Sequence, residues 1–216
     1  MIVGGVIKLV SLVNSKSYPE YVTSFSAKAK MYLGKPNNSL CQELVEKAQE
    51  ANAADMTELE HYYYDAALEV GGDDDILFTI SEFYTRSDVK EYGQGLEVLS
   101  KIKNQQRTDV VANEAWCYLQ THKMDKAIQL AQLAFMQDST NELSTKTLYC
   151  AYAAKENWED CIKWAKKSLE LQPSFGWTYY FMAYAQYKLG YRASAQESYL
   201  KAVELDPSIH DYYWWK

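Results

Sequence analysis

The stretch "ASAQESYLKAVELDP", residues 193–207, has a second version earlier in the chain. Thirty-four residues before it stands "EDCIKWAKKSLELQP", residues 159–173. Two small residues and a proline keep their places at this distance, because Ala195, Ala202 and Pro207 correspond to Cys161, Ser168 and Pro173. One further step back, small residues recur at Ala127, Ala131 and Ala134. Recurrent small residues let helix backbones approach closely, so the stretch predicts a repeated helical packing unit.

The first half of each unit also repeats. Tyr118 and Tyr152 stand 34 residues apart, and apolar residues within these halves are spaced by three and four, as on one face of a helix. Short polar segments, "THKMD", "KENWE" and "KLGYR", separate the two halves of successive units. Such turns are suited to antiparallel helix pairs. Pro173 and Pro207 follow the second helix of their units, where proline ends a helix.

Residues 108–209 therefore resemble three tetratricopeptide repeats. The family pattern has a large aromatic residue, Leu-Gly and Tyr in the first helix, then Ala, an aromatic residue and Pro around the second. The unit 176–209 keeps the residues Tyr179, Ala195, Tyr199 and Pro207. The unit 108–141 departs from the pattern, with Glu114 in place of Leu and Ser139 in place of Pro. The resemblance implies an all-α fold, a right-handed α-solenoid of antiparallel helix pairs.

The same period divides the rest of the chain. We expect four repeats at residues 74–107, 108–141, 142–175 and 176–209, preceded by degenerate N-terminal helical repeats or a cap at 1–73. Residues 210–216 are expected to begin a C-terminal capping helix, and the whole chain to form one continuous solenoid. The apolar residues 2–13 are too few to span a bilayer, which leaves a packed first helix or the remnant of an anchor.

Composition limits the classes of function. The 216 residues carry 22 basic and 29 acidic side chains, a net charge of −7, without a basic stripe. We therefore expect neither a nucleic-acid partner nor insertion into a membrane. The four cysteines are widely spaced and form no C-x-x-C pair, which favours reduced thiols in a cytoplasmic protein.

Motifs for catalysis are missing from the sequence. No phosphate-binding loop, dinucleotide-binding glycine pattern, nucleophile elbow or zinc-protease motif occurs, so we expect no enzyme activity and no cofactor. His61 has Glu58 and Asp65 at helical spacing, yet a carboxylate-bridged metal site needs a second such helix. A surface polar cluster at His61 is the preferred interpretation, and no metal site is predicted.

A stripe of large rings is the best candidate for a binding surface. Trp177, Tyr180, Tyr184 and Tyr187 follow one another at spacings of three and four, with Lys188 beside them. In the family that the chain resembles, this face lines a concave groove. On the same inference, earlier repeats add to the groove the residues Lys146, Trp116, Leu119 and Gln120.

The family also implies what this groove does not bind. Some members hold the carboxylate at the end of a peptide with Lys, Asn and Arg. Here Cys150 and Tyr184 stand where Asn would be needed, and Phe181 stands in place of Arg or Asn. An aromatic groove is better suited to an apolar or proline-containing segment, or to an amphipathic helix. Alternatively, the rings cover one another or are covered by the tail of the chain.

The tail is itself aromatic. Its residues Tyr212, Tyr213, Trp214 and Trp215 are too apolar to remain exposed to solvent, so they form a candidate assembly contact, including one between copies of the chain.

The sequence indicates two candidate functions. The first is a non-enzymatic protein–protein interaction module (an adaptor, assembly factor or co-chaperone) that binds a partner peptide or helix. The alternative is a structural subunit of a larger complex or homo-oligomer, assembled through its apolar terminal helices.

Overall fold

The computed structural model describes residues 37–212. The expectations for residues 2–13 and for Tyr213, Trp214 and Trp215 lie outside this range. The chain divides into two compact units, one ending at Asn104 and one beginning at Gln105. Within the described range all regular structure is helical, which confirms the all-α fold of antiparallel pairs.

The first unit contains four helices, α1 (Asn38–Ala53), α2 (Thr57–Val70), α3 (Asp74–Thr85) and α4 (Tyr92–Leu99). Helix α1 packs on α2, and α3 packs on α4. Asn37 caps the start of α1 by accepting a hydrogen bond from the backbone of Leu40, and Asp73 does the same for Ile76 of α3. Gly71 ends α2 with a φ of 77°, a conformation that glycine adopts without a steric penalty.

The second unit contains three helix pairs. They are α5 (Thr108–Gln120) with α6 (Met124–Gln137), α7 (Glu142–Ala154) with α8 (Trp158–Leu171), and α9 (Gly176–Lys188) with α10 (Arg192–Leu205). A 3-10 helix, Pro207–Tyr212, follows α10. The first helices contact each other in succession, α5 with α7 and α7 with α9, and α7 and α9 each also pack on the second helix of the preceding pair.

The small residues of the repeat lie where the helices meet. The buried residues of α6 are Ala127, Ala131 and Ala134, those of α8 are Cys161, Ala165 and Ser168, and Ala195 and Ala202 recur among the buried residues of α10. Larger side chains at these places would push the helices apart, since protein interiors are close-packed. The 34-residue pattern thus records the helix–helix contacts.

The turn inside each pair has the same backbone conformation. His122, Glu156 and Gly190, each 34 residues after the last, have φ values of 60°, 56° and 83°. The next backbone N–H reaches back to a carbonyl of the first helix each time: Lys123 donates to Tyr118 at 2.8 Å, Asn157 to Tyr152 at 2.9 Å and Tyr191 to Gln186 at 2.9 Å. This is the hydrogen bond of a Schellman motif, so a left-handed residue closes each first helix.

The four cysteine thiols are not joined in disulfides. Three of them, Cys41, Cys117 and Cys161, are fully buried. Burial raises the pKa of each of these thiols to about 12. They therefore act as small apolar residues of the core. Among the described helices, none is long and apolar enough to cross a membrane.

Candidate functional site

The first helices α5, α7 and α9 enclose one side of a cavity of about 620 Å³. Six aromatic rings line it, from Trp116, Tyr149, Phe175, Trp177, Phe181 and Tyr184. Its other lining residues are Leu119, Gln120, His122, Met124, Lys146, Cys150, Ala153 and Ala154. We call this the aromatic cavity. Its size lies in the range typical of binding sites for small molecules and anchoring side chains.

Six of the nine predicted groove residues line the aromatic cavity. They are Trp116, Leu119, Gln120, Lys146, Trp177 and Tyr184. Their spacing in sequence differs from repeat to repeat, yet they meet because α5, α7 and α9 lie side by side. Whether a partner binds to them stays a prediction.

The other three predicted residues lie beside the cavity. The Tyr180 ring packs edge-on against Trp177, with ring centres 5.4 Å apart, and against Phe181 at 5.8 Å. The Nζ atom of Lys188 lies 5.2 Å from the centre of the Tyr184 ring. The Tyr187 ring lies 5.4 Å from the Arg192 guanidinium. The aromatic stripe is thus divided, with Trp177 and Tyr184 directed to the cavity and the other two rings to its surroundings.

Sequence reasoning missed three of the rings. Tyr149 stands where the family pattern has a small residue, and Phe181 is notable in the sequence only because it replaces a polar Arg or Asn. Phe175 was not singled out, because it precedes α9 and lies in no helical stripe. All three line the cavity. A signal was nevertheless present, since Phe181 stands four residues after Trp177 and so shares its helix face.

Lys146 is the only formally charged side chain among the described residues that line the cavity. Its Nζ atom lies 4.7 Å from the centre of the Trp116 ring and 5.6 Å from that of Phe175. Both distances are within the reach of a cation–π attraction. No carboxylate of residues 37–212 lines the cavity, so these residues give its interior apolar walls and one positive charge.

Burial keeps two weakly acidic groups of the cavity wall protonated. Desolvation raises the pKa of the Cys150 thiol to about 12, and it also raises the pKa of the Tyr149 phenol. The Tyr149 hydroxyl accepts a hydrogen bond of 3.4 Å from Thr178. A thiol and a phenol that stay protonated at neutral pH are weak nucleophiles.

The 3-10 helix covers part of the aromatic stripe. Ile209, a residue of this 3-10 helix, is fully buried. The Tyr199 hydroxyl of α10 donates a hydrogen bond of 3.4 Å to the backbone carbonyl of His210. The Tyr212 ring then packs edge-on against Trp177, with centres 5.0 Å apart, and lies 6.3 Å from Tyr180. The tail therefore folds back on the last repeat as far as Tyr212, although 54% of the Tyr212 surface stays exposed.

His61 belongs to a polar cluster. Its Nε2 atom lies 3.1 Å from Glu91 and its Nδ1 atom 3.7 Å from Asp65. The Asp65 and Glu91 carboxylates raise the pKa of His61 to about 9, against the opposing effect of partial burial. Next to it, the buried Glu60 accepts two hydrogen bonds from Arg86, at 2.6 and 2.8 Å. Between residues 37 and 212, no group of three or more His, Cys, Asp or Glu side chains could hold a metal ion.

Part of the chain matches a known family model, and most of it is similar in fold to solved structures. Residues 178–209 match the family model of the tetratricopeptide repeat. Among solved structures, a crystal structure of the MamA protein superposes with a TM-score of 0.62 at 15% identity, over 82% of this chain and 97% of that one. MamA from Desulfovibrio magneticus RS-1, from residue 41 to its end, gives 0.63 at 15% identity, over 78% and 96%. A further MamA crystal structure gives 0.61 at 16% identity, over 76% and 97%. No curated protein matches the sequence.

These findings agree with the resemblance seen in the sequence. The last repeat matches the tetratricopeptide repeat, and most of the chain is similar in fold to the helix pairs of MamA. At 15% identity the likeness concerns the fold alone. The side chains of the aromatic cavity therefore have to be interpreted from this chain itself.

Proposed function

We propose that the chain is a non-enzymatic protein-interaction module that binds a partner segment in the aromatic cavity. The observation that carries this proposal is the lining of the cavity, six rings and one lysine without a carboxylate. Clusters of Trp and Tyr around a desolvated pocket are typical of the residues that contribute most to protein binding. Adaptor, assembly factor and co-chaperone are roles that such a module can serve.

The lining also defines the chemistry of the partner. An apolar side chain of the partner would replace water against the rings, which is favourable in proportion to the apolar area that it covers. Lys146, held between Trp116 and Phe175, would then face an acidic group of the same segment. We therefore expect a short segment with a Phe, Leu or Trp anchor next to an Asp or Glu. The unpaired thiols support the cytoplasm as the compartment.

The test starts from a library of short peptides presented to the intact chain. Selected peptides are then titrated against the protein, with the fluorescence of Trp116 and Trp177 as the readout because both indoles line the cavity. Enrichment of the anchor-plus-acid pattern is the expected result. Phe181→Ser should weaken binding by about tenfold or more, since truncating a central ring typically costs over 1 kcal/mol of binding free energy. Met136→Ser is the matched control, because Met136 is an exposed apolar residue outside the cavity.

Two outcomes would contradict the proposal. One is selection of peptides without an apolar anchor. The other is an equal loss of affinity in the Phe181 and Met136 variants. Lys146→Gln separates the two parts of the expected segment, because it should weaken the acidic peptides and leave their Asn or Gln analogues unchanged.

A second candidate is a structural subunit that assembles through the C-terminal end. The exposed face of Tyr212 supports it, because a ring that packs on Trp177 and Tyr180 still offers more than half of its surface. Light scattering of the intact chain and of the Tyr212→Ala variant tests this candidate. A lower mass for the variant would favour assembly, and an unchanged monomer mass for both would exclude it.

A further inference from the structure

A second opening lies on the other side of α9. It is a groove of about 590 Å³ between α9 and α10, which we call the outer groove. Its lining residues are Tyr179, Met182, Gln186, Ser194, Glu197, Ser198, Leu200, Lys201 and Glu204. Successive helix residues are turned by about 100°, so Met182 and Gln186 face away from Phe181 and Tyr184. The outer groove and the aromatic cavity share no residue.

The equivalent positions of the preceding repeat carry large side chains. There Trp164 of α8 and Tyr152 of α7 both pack against the core cluster that contains Leu148, and Trp164 meets Phe135 of α6 edge-on, with ring centres 5.0 Å apart. Thirty-four residues later, Ser198 stands in the place of Trp164 and Gln186 in the place of Tyr152. An indole and a phenol are thus replaced by two smaller polar side chains. Both replacement residues, Ser198 and Gln186, line the outer groove.

The replacements also leave a polar atom without a protein partner. The Tyr152 hydroxyl accepts a hydrogen bond of 3.2 Å from Gln132 of α6. Gln186 is only 9% exposed, and its Oε1 atom accepts no hydrogen bond from any described residue. A buried acceptor without a donor costs about 1–3 kcal/mol of stability. A ligand that brings an N–H group to Gln186 would recover this loss.

Charge and shape narrow the class of ligand. Glu197 lines the groove, is exposed and forms no ion pair with a described residue, whereas Glu204 pairs with Lys201 at 3.0 Å. The formal charge of the lining is therefore negative. Tyr179, Met182 and Leu200 add apolar surface, and Leu200 is 61% exposed. The groove thus offers an apolar wall, a free carboxylate and a buried carbonyl acceptor.

We propose that the outer groove binds an arginine side chain of a partner protein. The aliphatic part of arginine fits against Met182 and Leu200, and its planar guanidinium stacks on aromatic rings such as that of Tyr179. Arginine has five N–H donors in a fixed fork, enough for both Gln186 Oε1 and the Glu197 carboxylate. Helix α9 would then hold an acidic, apolar segment on one face and a basic side chain on the other.

The experiment is an NMR titration of the intact chain with N-acetyl-arginine methylamide. The expected result is a saturable shift of the Gln186 side-chain amide signals, with a dissociation constant on the order of 1 mM. The citrulline analogue has the same shape without the charge, and it should bind about tenfold more weakly because hydrogen bonds between ions are about twice as strong as neutral ones. No shift at Gln186 up to about 20 mM of the arginine probe would overturn the proposal.

Two variants test the groove itself. Ser198→Trp restores the side chain of the preceding repeat and should abolish the shift, with circular dichroism and a melting curve confirming that the variant is folded. Glu197→Gln changes only an exposed group and should weaken binding by about tenfold. Glu159→Gln, an exposed carboxylate outside the groove, is its control and should have no effect. Equal binding of citrulline and arginine, or unchanged binding in the Ser198 variant, would refute the assignment.

Discussion

Lys146 and Trp116 lie on neighbouring first helices, and the lysine Nζ atom approaches the centre of the indole ring to 4.7 Å. The pair joins α7 to α5 at the wall of the aromatic cavity. It also holds a positive charge beside rings that would otherwise make the cavity purely apolar. We therefore expect Lys146 to contribute more to the binding of an acidic partner than to the stability of the fold.

Replacement of Lys146 by Gln should change stability little. A cation–π contact at a partly exposed site contributes about 0.5–1 kcal/mol, so the free energy of unfolding should fall by no more than about 1 kcal/mol. Urea denaturation measures the change. Lys163→Gln, which removes a longer contact of 5.7 Å to Trp164, is the matched control. A loss above about 2 kcal/mol would mean that the lysine has a structural role that the cation–π contact does not explain.

Gly176→Ala should destabilise the last repeat. A methyl group at Gly176 would come within 2.9 Å of the Ala202 carbonyl oxygen, a backbone atom that cannot turn away. Overpacking of this kind costs about 1–3 kcal/mol. Thermal or urea unfolding measures the effect, with Gly93→Ala as the contrasting variant.

Gly93 lies in α4 with nothing within 4 Å of the added methyl group. Because alanine favours helix more than glycine does, this variant should gain about 0.5–1 kcal/mol. If the two alanine variants changed stability in the same direction, the close approach of α9 and α10 would not be the deciding factor.

At equivalent positions of the repeated turn, we expect two substitutions to change the free energy of unfolding in opposite directions. Glu156 and Gly190 occupy the same place with φ values of 56° and 83°. A left-handed conformation costs a residue with a side chain about 1–2 kcal/mol, and glycine avoids this cost. Part of the advantage of glycine is offset because it gives the unfolded chain more conformational entropy. We expect Glu156→Gly to raise the free energy of unfolding by up to about 1 kcal/mol and Gly190→Ala to lower it by about as much. Chemical denaturation of both variants decides the matter, and a destabilised Glu156→Gly would contradict it.

The stability of the first unit should depend on pH through His61. The folded pKa of about 9 lies above the ordinary histidine value of 6.5, so the folded state binds the proton more tightly. The contribution is complete below pH 6.5, falls as the pH rises, and is lost above about pH 9. Denaturation at several pH values should show this decline in the parent chain and a flatter profile in His61→Asn. Equal slopes would show that the Asp65 and Glu91 contacts do not hold the proton.

The repeat core could be predicted because its signal is periodic. Ala127, Cys161 and Ala195 recur at a fixed distance, and each is buried between helices. The fold follows from such positions since the same contact is made in each repeat. The spacing of three and four residues also predicted that Trp177 and Tyr184 share a face of α9, and both line the cavity.

The cavity itself could not be read completely from the sequence. Phe175 precedes α9 and has no helical periodicity, so its contact with Lys146 depends on the path of the loop. Tyr149 breaks the small-residue pattern of its position, and only the packing of α9 on α7 and α8 explains why a large ring fits. Likewise, the contact of Tyr212 with Trp177 results from the way the 3-10 helix turns back over Ile209. Periodicity predicts a face, whereas a loop or a tail decides what covers it.

The burial of the cysteines has a practical consequence for measurement. At neutral pH a thiol with a pKa of about 12 is almost entirely protonated, and alkylating reagents react with the thiolate. A new cysteine at an exposed site such as Met136 would therefore be labelled before the fully buried Cys41, Cys117 and Cys161, and before Cys150, whose thiol stays protonated although it lines the cavity. A single fluorophore could then be attached to the native sequence background, and energy transfer from the indoles of the cavity would report when a ligand arrives.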